Sequence, residues 1–528
     1  MKKKNKVLHI GNIANNAYLN AKILNSDTDI KSDVLSLNYY HIMGCPEWED
    51  YDFKEDYGDD FNPKWDNRNF KRPSWFSSGN GKFAIKYLIH KNKGNNIRAL
   101  IYRCLAKYKK TLNLSSNLGI VFKDAQFLFI ALAIAFVKVD FQYVKSFFKN
   151  KTGGLRDKII YKSFITILLL LTIPLWPLFI VFAYFHIKLG SKAETSEIEA
   201  SINRLYTRLV NLAKSDYIPT KKELEPYIRT ALMLEELFNY YDLIIGYGIE
   251  GIYPLLLGEK YIAFEHGTIR NLPFQNTPLG FVTRVTYEHA NHVIITNADN
   301  LLAAQNLKLK KYTFVPHPIN EEPLIKISND YEDLHSRYNT DFIAFHPSRQ
   351  HWEKDVRHPD WEKGNDIFIE GFAKFVRDVN SQAKAILISW GLKVEDSKSL
   401  IESLGIQDNI IWLKPKGTYE MTRTILGIDL LADQFYLGAF GSTAPRAWLC
   451  SKPSMLYLNE DMHEWCFDEM PINIQAKSPE DVFDGLKYIY SCVVDNKHEF
   501  GEKSREWYKK HHSNSVIREK LVRIIDSL

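Results

Sequence analysis

The chain has 528 residues, of which 45% are hydrophobic and 25% charged, and its formal net charge is +5. A chain of this length buries more than one hydrophobic core, because single cores stop growing near roughly 250–300 residues, so we expect two or three domains. The small net charge gives no support for a nucleic-acid partner, and the five scattered cysteines, without CxxC spacing, argue against a disulfide framework and a zinc site.

The amino terminus predicts a strand, a loop and a helix. The apolar run 7–10 ends at Gly11, and residues 18–24 carry apolar side chains at helical spacing. Only this short run follows the basic start, so we expect no cleavable signal peptide. A chain that opens in this way typically begins an α/β domain.

An insertion of unusual composition is predicted next, over residues 45–235. Residues 47–60 hold eight acids and one lysine, whereas residues 71–123 hold twelve Lys or Arg and no acid. Two uncharged apolar runs follow, at 125–137 and 163–187. The longer run reaches the ~20 residues that a membrane helix needs and the shorter one does not, so we predict a helical, membrane-associating segment.

The two apolar runs favour attachment to one leaflet over a spanning hairpin. The residues between them, 138–162, hold seven Lys or Arg against two Asp, and a hairpin would place this basic loop on the far side. Pro174 and Pro177 interrupt the longer run, as in a bent or re-entrant segment. We expect monotopic or re-entrant attachment at the cytoplasmic face of the cell membrane, with anionic lipids as partners. A spanning hairpin and two buried core helices are the alternatives.

Two series of buried parallel strands are predicted after the insertion. Each is a short apolar run with polar or turn residues around it, and helical patterns lie between the runs. We place an N-terminal Rossmann-like domain at 1–320, a C-terminal one at 321–498 and terminal helices at 499–528. The first series comprises 242–246, 261–264, 292–296 and 312–315, and the second comprises 342–345, 385–388, 410–413, 430–432 and 454–457.

Two cations lie at the start of the second series. Arg349 follows a predicted strand that ends near His346, and Lys363 and Gly364 stand before a helix with an apolar face. Two fixed cations at the carboxyl edge of a parallel sheet suit a diphosphate, whose leaving-group charge must be neutralised. Solvated surface charges are the alternative interpretation.

A glycine-rich turn follows a later strand. Gly438 and Gly441 allow a ligand to approach the backbone, and Ser442 or Thr443 can cap a helix that carries Pro445 in its first turn. A helix N-terminus with free N–H groups is a natural phosphate site. An ordinary strand-to-helix turn is the alternative.

Together, these segments resemble the GT-B glycosyltransferases of the large "group one" family, whose members are mostly retaining enzymes. Arg349 and Lys363-Gly364 fit the positions at which that family contacts the donor diphosphate. Asp433-Gln434, the two glycines and the turn at Lys452-Pro453 resemble the corresponding region of a bacterial polysaccharide branch. The resemblance implies two doubly wound Rossmann-like domains facing a cleft, a nucleotide-sugar donor, and no metal or other cofactor.

The first domain adds two matching segments, and the resemblance covers about 5–40 and 240–528. The segment 265–270 resembles the His-Gly segment that members of the branch carry at the cleft, and the segment 11–18 resembles their opening loop. His266 would then hydrogen-bond the acceptor or the donor sugar near the reacting carbon; a structural histidine is the alternative. The residues implied at the acceptor side or the cleft are His266, Gly267, Arg270, Gly11, Asn15 and Asn16.

Arg446 departs from the family, which usually has a Glu at this position to hold the donor's ribose. A cation in the first helical turn opposes the helix macrodipole by ~0.3–1 kcal/mol, so it needs solvent or an anion nearby. Two interpretations stay open for Arg446. It binds a phosphate or an acidic donor sugar, or it marks a site that no longer turns over.

The predicted function is transfer of a sugar from a nucleotide-diphosphate sugar to a lipid-linked acceptor or a surface polysaccharide intermediate. Arg349, Lys363 and the loop amides near Gly441 would stabilise the departing diphosphate, with no metal required. A sugar-nucleotide epimerase of similar fold is one alternative. A catalytically inactive, lipid-binding scaffold, suggested by Arg446 and the basic insertion, is the other.

Three further features are given structural or solvated interpretations. Asp50-Tyr-Asp52 matches the DxD motif of metal-dependent transferases, but no strand leads into it, so we expect a solvated loop. Gly246-Tyr-Gly248 lacks the third glycine and later acid of a dinucleotide fingerprint. His317 is expected to pack at the hinge between the domains, with a donor contact as the alternative.

Overall fold

The computed structural model describes residues 6–37, 41–53, 57–63, 70–106, 196–213, 216–327, 331–357 and 362–528. The predicted apolar runs at 125–137 and 163–187 lie outside the described residues, as do the residues between them. Within the described ranges, no helix combines the length and the apolar character needed to cross a membrane.

The first domain is built on a seven-stranded parallel sheet, and a two-stranded antiparallel hairpin, β3–β4, lies beside it. The strands are β1 Lys6–Ile10, β2 Lys31–Leu37, β3 Gly58–Asp59, β4 Asn62–Pro63, β5 Phe76–Gly79, β6 Leu243–Tyr247, β7 Tyr261–Phe264, β8 His292–Ile295 and β9 Tyr312–Phe314. The sheet order is β5-β2-β1-β6-β7-β8-β9. Strand β1, which precedes the predicted insertion, therefore pairs directly with β6, which follows it, with Val7 opposite Leu243.

Helices cover both faces of this sheet, as in a doubly wound domain. Along β1, Leu8 and Ile10 enter one core cluster and Val7 enters the cluster on the opposite face, because successive strand side chains point to opposite sides. The helices are α1 Asn16–Asp27, α2 Pro46–Asp50, α3 Gly81–Asn92, α4 Asn96–Ala106, α5 196–212, α6 Lys221–Phe238, α7 Ile252–Leu257, α8 Pro278–Glu288, α9 Leu301–Asn306 and α10 Glu322–Ile327.

Part of the predicted insertion, 45–235, belongs to this first domain. Strand β5 lies at the edge of the sheet, with Phe76 opposite Val34 of β2. Helices α3 and α6 contribute Leu88 and Ile228 to the same core cluster as β1. The described residues between 70 and 106 and between 221 and 235 are thus framework elements of the sheet and its cover.

The second domain contains a six-stranded parallel sheet in the order β12-β11-β10-β13-β14-β15. Its strands are β10 Ile343–His346, β11 Lys384–Ile388, β12 Ile410–Leu413, β13 Leu430–Ala432, β14 Ser454–Leu456 and β15 Ile474–Gln475. Its helices are α11 Leu334–Tyr338, α12 Asn365–Asp378, α13 Val394–Ser403, α14 Thr418–Leu426, α15 Thr443–Leu449, α16 Glu460–His463 and α17 Pro479–Val494. On α12, Phe368, Phe372 and Phe375 are fully buried against the sheet. The two predicted series of buried parallel strands, and the predicted fold class of two doubly wound α/β domains, are confirmed.

Two terminal helices, α18 Glu499–His511 and α19 Asn514–Asp526, connect the domains. On α18, Trp507 packs edge-on against Trp448 of α15, with ring centroids 5.0 Å apart. Helix α19 returns to the first domain, where Leu521 joins the core cluster under α1. His512, between the two helices, donates from Nε2 to the carbonyl oxygen of His317 at 2.9 Å. These contacts hold the two sheets on either side of a cleft, which is the GT-B architecture.

Candidate active site

A cavity of about 380 Å³ lies in the cleft between the two sheets. Its walls come from segments that follow β1, β2, β7, β8 and β9 in the first domain and β10 and β13 in the second. Ligands of open parallel sheets bind at this carboxyl edge. The predicted site residues that line the cavity are Asn16, His266, Gly267, Arg270, Arg349, Lys363, Gly441, Ser442 and Arg446.

Cations outnumber acids in the cavity wall. Four basic side chains line it against two carboxylates, those of Glu49 and Asp299. Arg270 donates to both Asp299 oxygens, at 2.6 and 3.1 Å, and this pair is partly buried in the wall. Arg349 stacks over the Trp390 ring at 5.3 Å. The excess of positive charge matches the charge of a diphosphate.

Lys363 is held at the start of α12 by backbone contacts. Its N–H donates to the carbonyl oxygen of His351 at 2.8 Å, and its own carbonyl accepts from Phe435 at 2.9 Å. Gly364 follows with a φ of +67°, and a Cβ there would lie 3.2 Å from Phe435. Gly364 therefore positions Lys363 and does not line the cavity.

The Lys363 ammonium donates to Oε1 of the neutral Gln434 side chain at 2.9 Å. The pKa of Lys363 is lowered to about 8, chiefly by burial and also by the nearby cations Arg349 and Arg270, whereas Asp433 opposes the shift. Lys363 is consequently charged at neutral pH and close to deprotonation in mild alkali.

The N-terminus of α15 is capped differently from the prediction. Ser442 occupies the cap position, but its side chain makes no capping hydrogen bond. The buried Asp433 carboxylate accepts instead from the Ala444 N–H and, at 2.8 Å, from the Ser348 hydroxyl. An internal acid therefore takes one of the N–H groups that the sequence assigned to a phosphate.

The glycine-rich turn divides between the cavity and the framework. Gly441 lines the cavity, and a Cβ there would meet no atom within 4 Å. Gly438 has a φ of +77° and packs against Tyr457 and Asn459, and neither it nor Thr443 lines the cavity. Gly441 is thus the glycine at which a ligand can approach the backbone.

His266 lies at the centre of a hydrogen-bond network on the first domain's side. Its Nδ1 accepts from Asn16 Nδ2 at 3.0 Å, because the same amide group donates to the Ile13 carbonyl. Burial, and then the charge of Arg270, lower the pKa of His266 to about 4. A neutral ring with Nδ1 occupied carries its proton on Nε2 and acts as a hydrogen-bond donor.

His317, predicted as a hinge residue, also lines the cavity. Its ring meets His266 edge-on at 5.1 Å, and its Nδ1 lies 3.2 Å from Asn16 Oδ1. Burial holds the pKa of His317 well below its usual range. The residue therefore connects the junction of the terminal helices, through its contact with His512, to the cavity wall.

The opening loop supplies one of the three predicted contacts. Asn16 reaches the cavity, whereas Asn15 is buried behind the wall and donates to the Cys45 carbonyl at 2.9 Å. Gly11 packs against Tyr247 with a φ of +87° and does not line the cavity either. Asn15 and Gly11 shape the loop that presents Asn16.

The acidic segment is docked rather than solvated, so that prediction is wrong. Asp50 accepts from Lys22 Nζ at 2.8 Å, and Asp52 pairs with both terminal nitrogens of Arg423 in the second domain, at 2.6 and 2.7 Å. Both acids of the DxD motif therefore have basic partners. Among the described residues, no group of three or more His, Cys, Asp or Glu could hold a metal ion.

Arg446 lies close to the anion that its position in the helix requires. Its Nη2 is 3.9 Å from Oε2 of Glu49, a residue of α2 in the first domain, and its Nη1 donates to the Thr418 hydroxyl at 3.3 Å. Sequence reasoning did not identify Glu49 or the cavity residues Asp299 and Asn297, and it named Gln434 only as part of the glycine-rich motif. A signal was present for the last three, since each follows a predicted strand closely.

No protein-family model matches the chain, and no curated protein matches it. Among solved structures, it is similar to Anabaena Alr3699/HepE in complex with UDP and glucose, at 16% identity over 58% of this chain and 83% of that one, with a TM-score of 0.46. It is similar to sucrose-phosphate synthase from Thermosynechococcus elongatus, at 14% identity over 59% and 80%, with a TM-score of 0.43. It is also similar to WaaG, a glycosyltransferase involved in lipopolysaccharide biosynthesis, at 13% identity over 62% and 95%, with a TM-score of 0.41. The fold assignment rests on the two sheets themselves.

Proposed function

We propose that the protein is a glycosyltransferase that moves a sugar from a nucleotide-diphosphate sugar to an acceptor. One observation carries this proposal: Arg349 and Lys363 meet at the carboxyl edge of the second sheet, in a cavity closed by the first domain. Two fixed cations of this kind suit a diphosphate, and the first domain on the other side of the cavity offers a surface for the acceptor.

The chemistry follows from the charges around the reacting bond. As the bond between the anomeric carbon and the phosphate loosens, negative charge grows on the diphosphate and positive charge on the carbon. Arg349 and Lys363 stabilise the first without a metal. His266, neutral at physiological pH, donates a hydrogen bond from Nε2 without placing a cation beside the carbon. We expect retention of configuration from the family resemblance.

A panel of nucleoside diphosphates and their sugar esters in a thermal-shift assay tests the donor assignment. A ligand that binds the folded state raises apparent stability by RT ln(1 + [L]/Kd), so ~100 Kd of ligand adds about 2.7 kcal/mol. We expect one nucleoside diphosphate to raise Tm, and the matching sugar ester to be consumed only when an acceptor is present. A protein that no member of the panel stabilises would be the inactive scaffold, and isomerisation of the donor alone would identify an epimerase.

The charge of Lys363 makes binding dependent on pH. Because the pKa of Lys363 is lowered to about 8, its positive charge is lost as pH rises through 8 in the free protein. Asp433 and Asp299 favour the charged form, and Arg349 and Arg270 oppose it. Above pH 8, we expect the Kd of a nucleoside diphosphate to rise with pH, by at most about tenfold per pH unit. Lys363→Arg keeps its charge and should flatten this profile between pH 7 and 10; an equally steep profile in that variant would assign the effect to another group.

We also infer that the acceptor is lipid-linked or a surface polysaccharide intermediate, handled at the cytoplasmic face of the membrane. The apolar runs 125–137 and 163–187 and the basic residues around them support this inference. A cysteine introduced at Gly153 or Leu155 should resist an impermeant thiol reagent in intact cells. Labelling from outside would contradict monotopic attachment, and release by high salt alone would contradict insertion.

A further inference from the structure

Glu49 brings a carboxylate of the first domain into contact with two residues of the second. It lies on α2, is buried, and lines the cavity. Its Oε2 accepts from the Thr418 hydroxyl at 2.7 Å, and Arg446 Nη2 lies 3.9 Å from the same oxygen. Arg446 also donates to that hydroxyl, at 3.3 Å, so the three side chains form one network across the cleft.

The backbone that carries Glu49 is fixed from both sides. Asn320 Nδ2 donates to the Glu49 carbonyl at 2.7 Å. Gly417, before α14, lets the segment approach closely, since a Cβ there would lie 2.5 Å from the Phe53 ring. The bidentate pair between Asp52 and Arg423 anchors the end of the segment on the second domain. Glu49 is therefore placed by contacts with both domains.

The two carboxylates of the cavity differ in how many of their oxygens already accept a hydrogen bond from the protein. Asp299 already accepts from Arg270 at both oxygens. Within the described part of the chain, the Glu49 carboxylate accepts one hydrogen bond, from the Thr418 hydroxyl to Oε2. Its Oε1 thus remains for a ligand in the cavity. Hydroxyl groups are the natural partners of such an oxygen, because a carboxylate only accepts hydrogen bonds and diphosphate oxygens do not donate them.

We propose that Glu49 binds hydroxyl groups of the ligand in the cavity, and that Thr418 and Arg446 are positioning residues that orient its carboxylate. This assignment rests on the proposed function, since a nucleotide sugar offers hydroxyls on two rings, the ribose and the transferred sugar. Arg446 then serves neither of the roles that its sequence position left open. Its charge is balanced by Glu49, and the donor phosphates are left to Arg349 and Lys363.

Isothermal titration calorimetry with three probes tests the assignment of Glu49. The probes are the ribonucleoside diphosphate that binds most tightly among those of uridine, guanosine, adenosine and cytidine, its 2′-deoxy counterpart, and its glucose ester. Glu49→Gln keeps the shape of the side chain and removes its charge. If the ribose is the partner, we expect about tenfold or more weaker binding of the ribonucleotide and unchanged binding of the deoxynucleotide. If the sugar is the partner, only the glucose ester loses affinity.

Equal losses for all three probes, or none, overturn the assignment of Glu49. A wild-type protein that binds no probe overturns the proposed function, and the assignment falls with it, so the two failures are distinguishable. The positioning role has its own comparison: Thr418→Val should reproduce the probe-selective loss of Glu49→Gln, and Thr418→Ser, which keeps the hydroxyl, should restore affinity. Normal binding by Thr418→Val overturns that role.

A matched control separates positioning from general loosening of the segment. Asp52→Asn weakens the other contact of the segment, with Arg423, and leaves the network around Glu49 intact. We expect this variant to affect the three probes alike. Thermal unfolding of every variant, recorded beside the titrations, shows that the compared proteins are folded. A probe-selective loss in Asp52→Asn equal to that of Glu49→Gln would overturn the assignment.

Discussion

Replacing both Arg349 and Lys363 by alanine is expected to weaken binding of a nucleoside diphosphate by about 3–6 kcal/mol. Each cation makes charge-assisted hydrogen bonds worth ~1.5–3 kcal/mol, so each single replacement should cost about half of the total. Arg349 lies in the loop after β10 and Lys363 directly before α12, and neither belongs to a core cluster, so folding should be retained. Calorimetric titration of the two single variants and the double variant measures the effect.

A lysine of the same domain provides the control. Lys354 is exposed and pairs with Glu370 outside the cavity. Because exposed ion pairs contribute ~0–1 kcal/mol, Lys354→Ala should leave both affinity and stability nearly unchanged. A folded double variant that binds the diphosphate as tightly as the wild type would remove the basis of the donor assignment. A loss in Lys354→Ala of the same size would show that net charge, rather than the cavity, governs binding.

Removing Glu47 is expected to destabilise the first domain by about 3–5 kcal/mol. The Glu47 side chain is fully buried and accepts from Arg72 at both oxygens, at 2.8 and 2.9 Å. Glu47→Ala leaves the largely buried Arg72 guanidinium without its carboxylate. Removing one partner of such a pair is costly, because the remaining charge is left without compensation. Because α2 also carries Glu49, we expect weaker binding of nucleotide sugars in the same variant. Hydrogen exchange of the first sheet's amides reports the opening free energy of this domain separately.

Two further variants delimit this prediction. Glu519→Ala removes the partner of Arg523 in an exposed pair on α19, and it should cost less than about 1 kcal/mol. Glu47→Leu combined with Arg72→Met replaces the buried pair by apolar side chains, and most of the lost stability should return. If Glu47→Ala lowered the free energy of unfolding by less than about 1 kcal/mol, Arg72 would have found other partners, and the prediction would be wrong.

Most strands of both sheets were predictable because a strand buried on both faces is a continuous apolar run. The runs at 261–264 and 385–388 meet this condition, and each is a central strand. Strands β2, β5 and β15 were missed: β5 reads Phe-Ser-Ser-Gly, and β15 has two residues, Ile474 and Gln475. Both lie at the edge of a sheet, where less of the strand is buried and the apolar signal is weak.

The acidic segment shows why composition misled the prediction of its environment. Eight acids within residues 47–60 are typical of a solvated loop. In the structure, Glu47, Asp50 and Asp52 have basic partners that lie on other elements, one of them in the second domain. A run of charges in the sequence carries no information about partners that are distant in the sequence and close in the fold. The pairing of these acids could therefore not be predicted.

By itself, the sequence determined the class of fold, and it pointed to two cations and a histidine that line the cavity, because the apolar period and the residues that follow a strand are local properties. Arg446 marks the limit of prediction from local sequence. Its place in the first turn of a helix predicted that an anion lies nearby, but not which one. Only the tertiary structure decided that the anion is Glu49, through Thr418. Which charges meet across two domains depends on how the two sheets are placed relative to each other. No local pattern in the sequence encodes that placement.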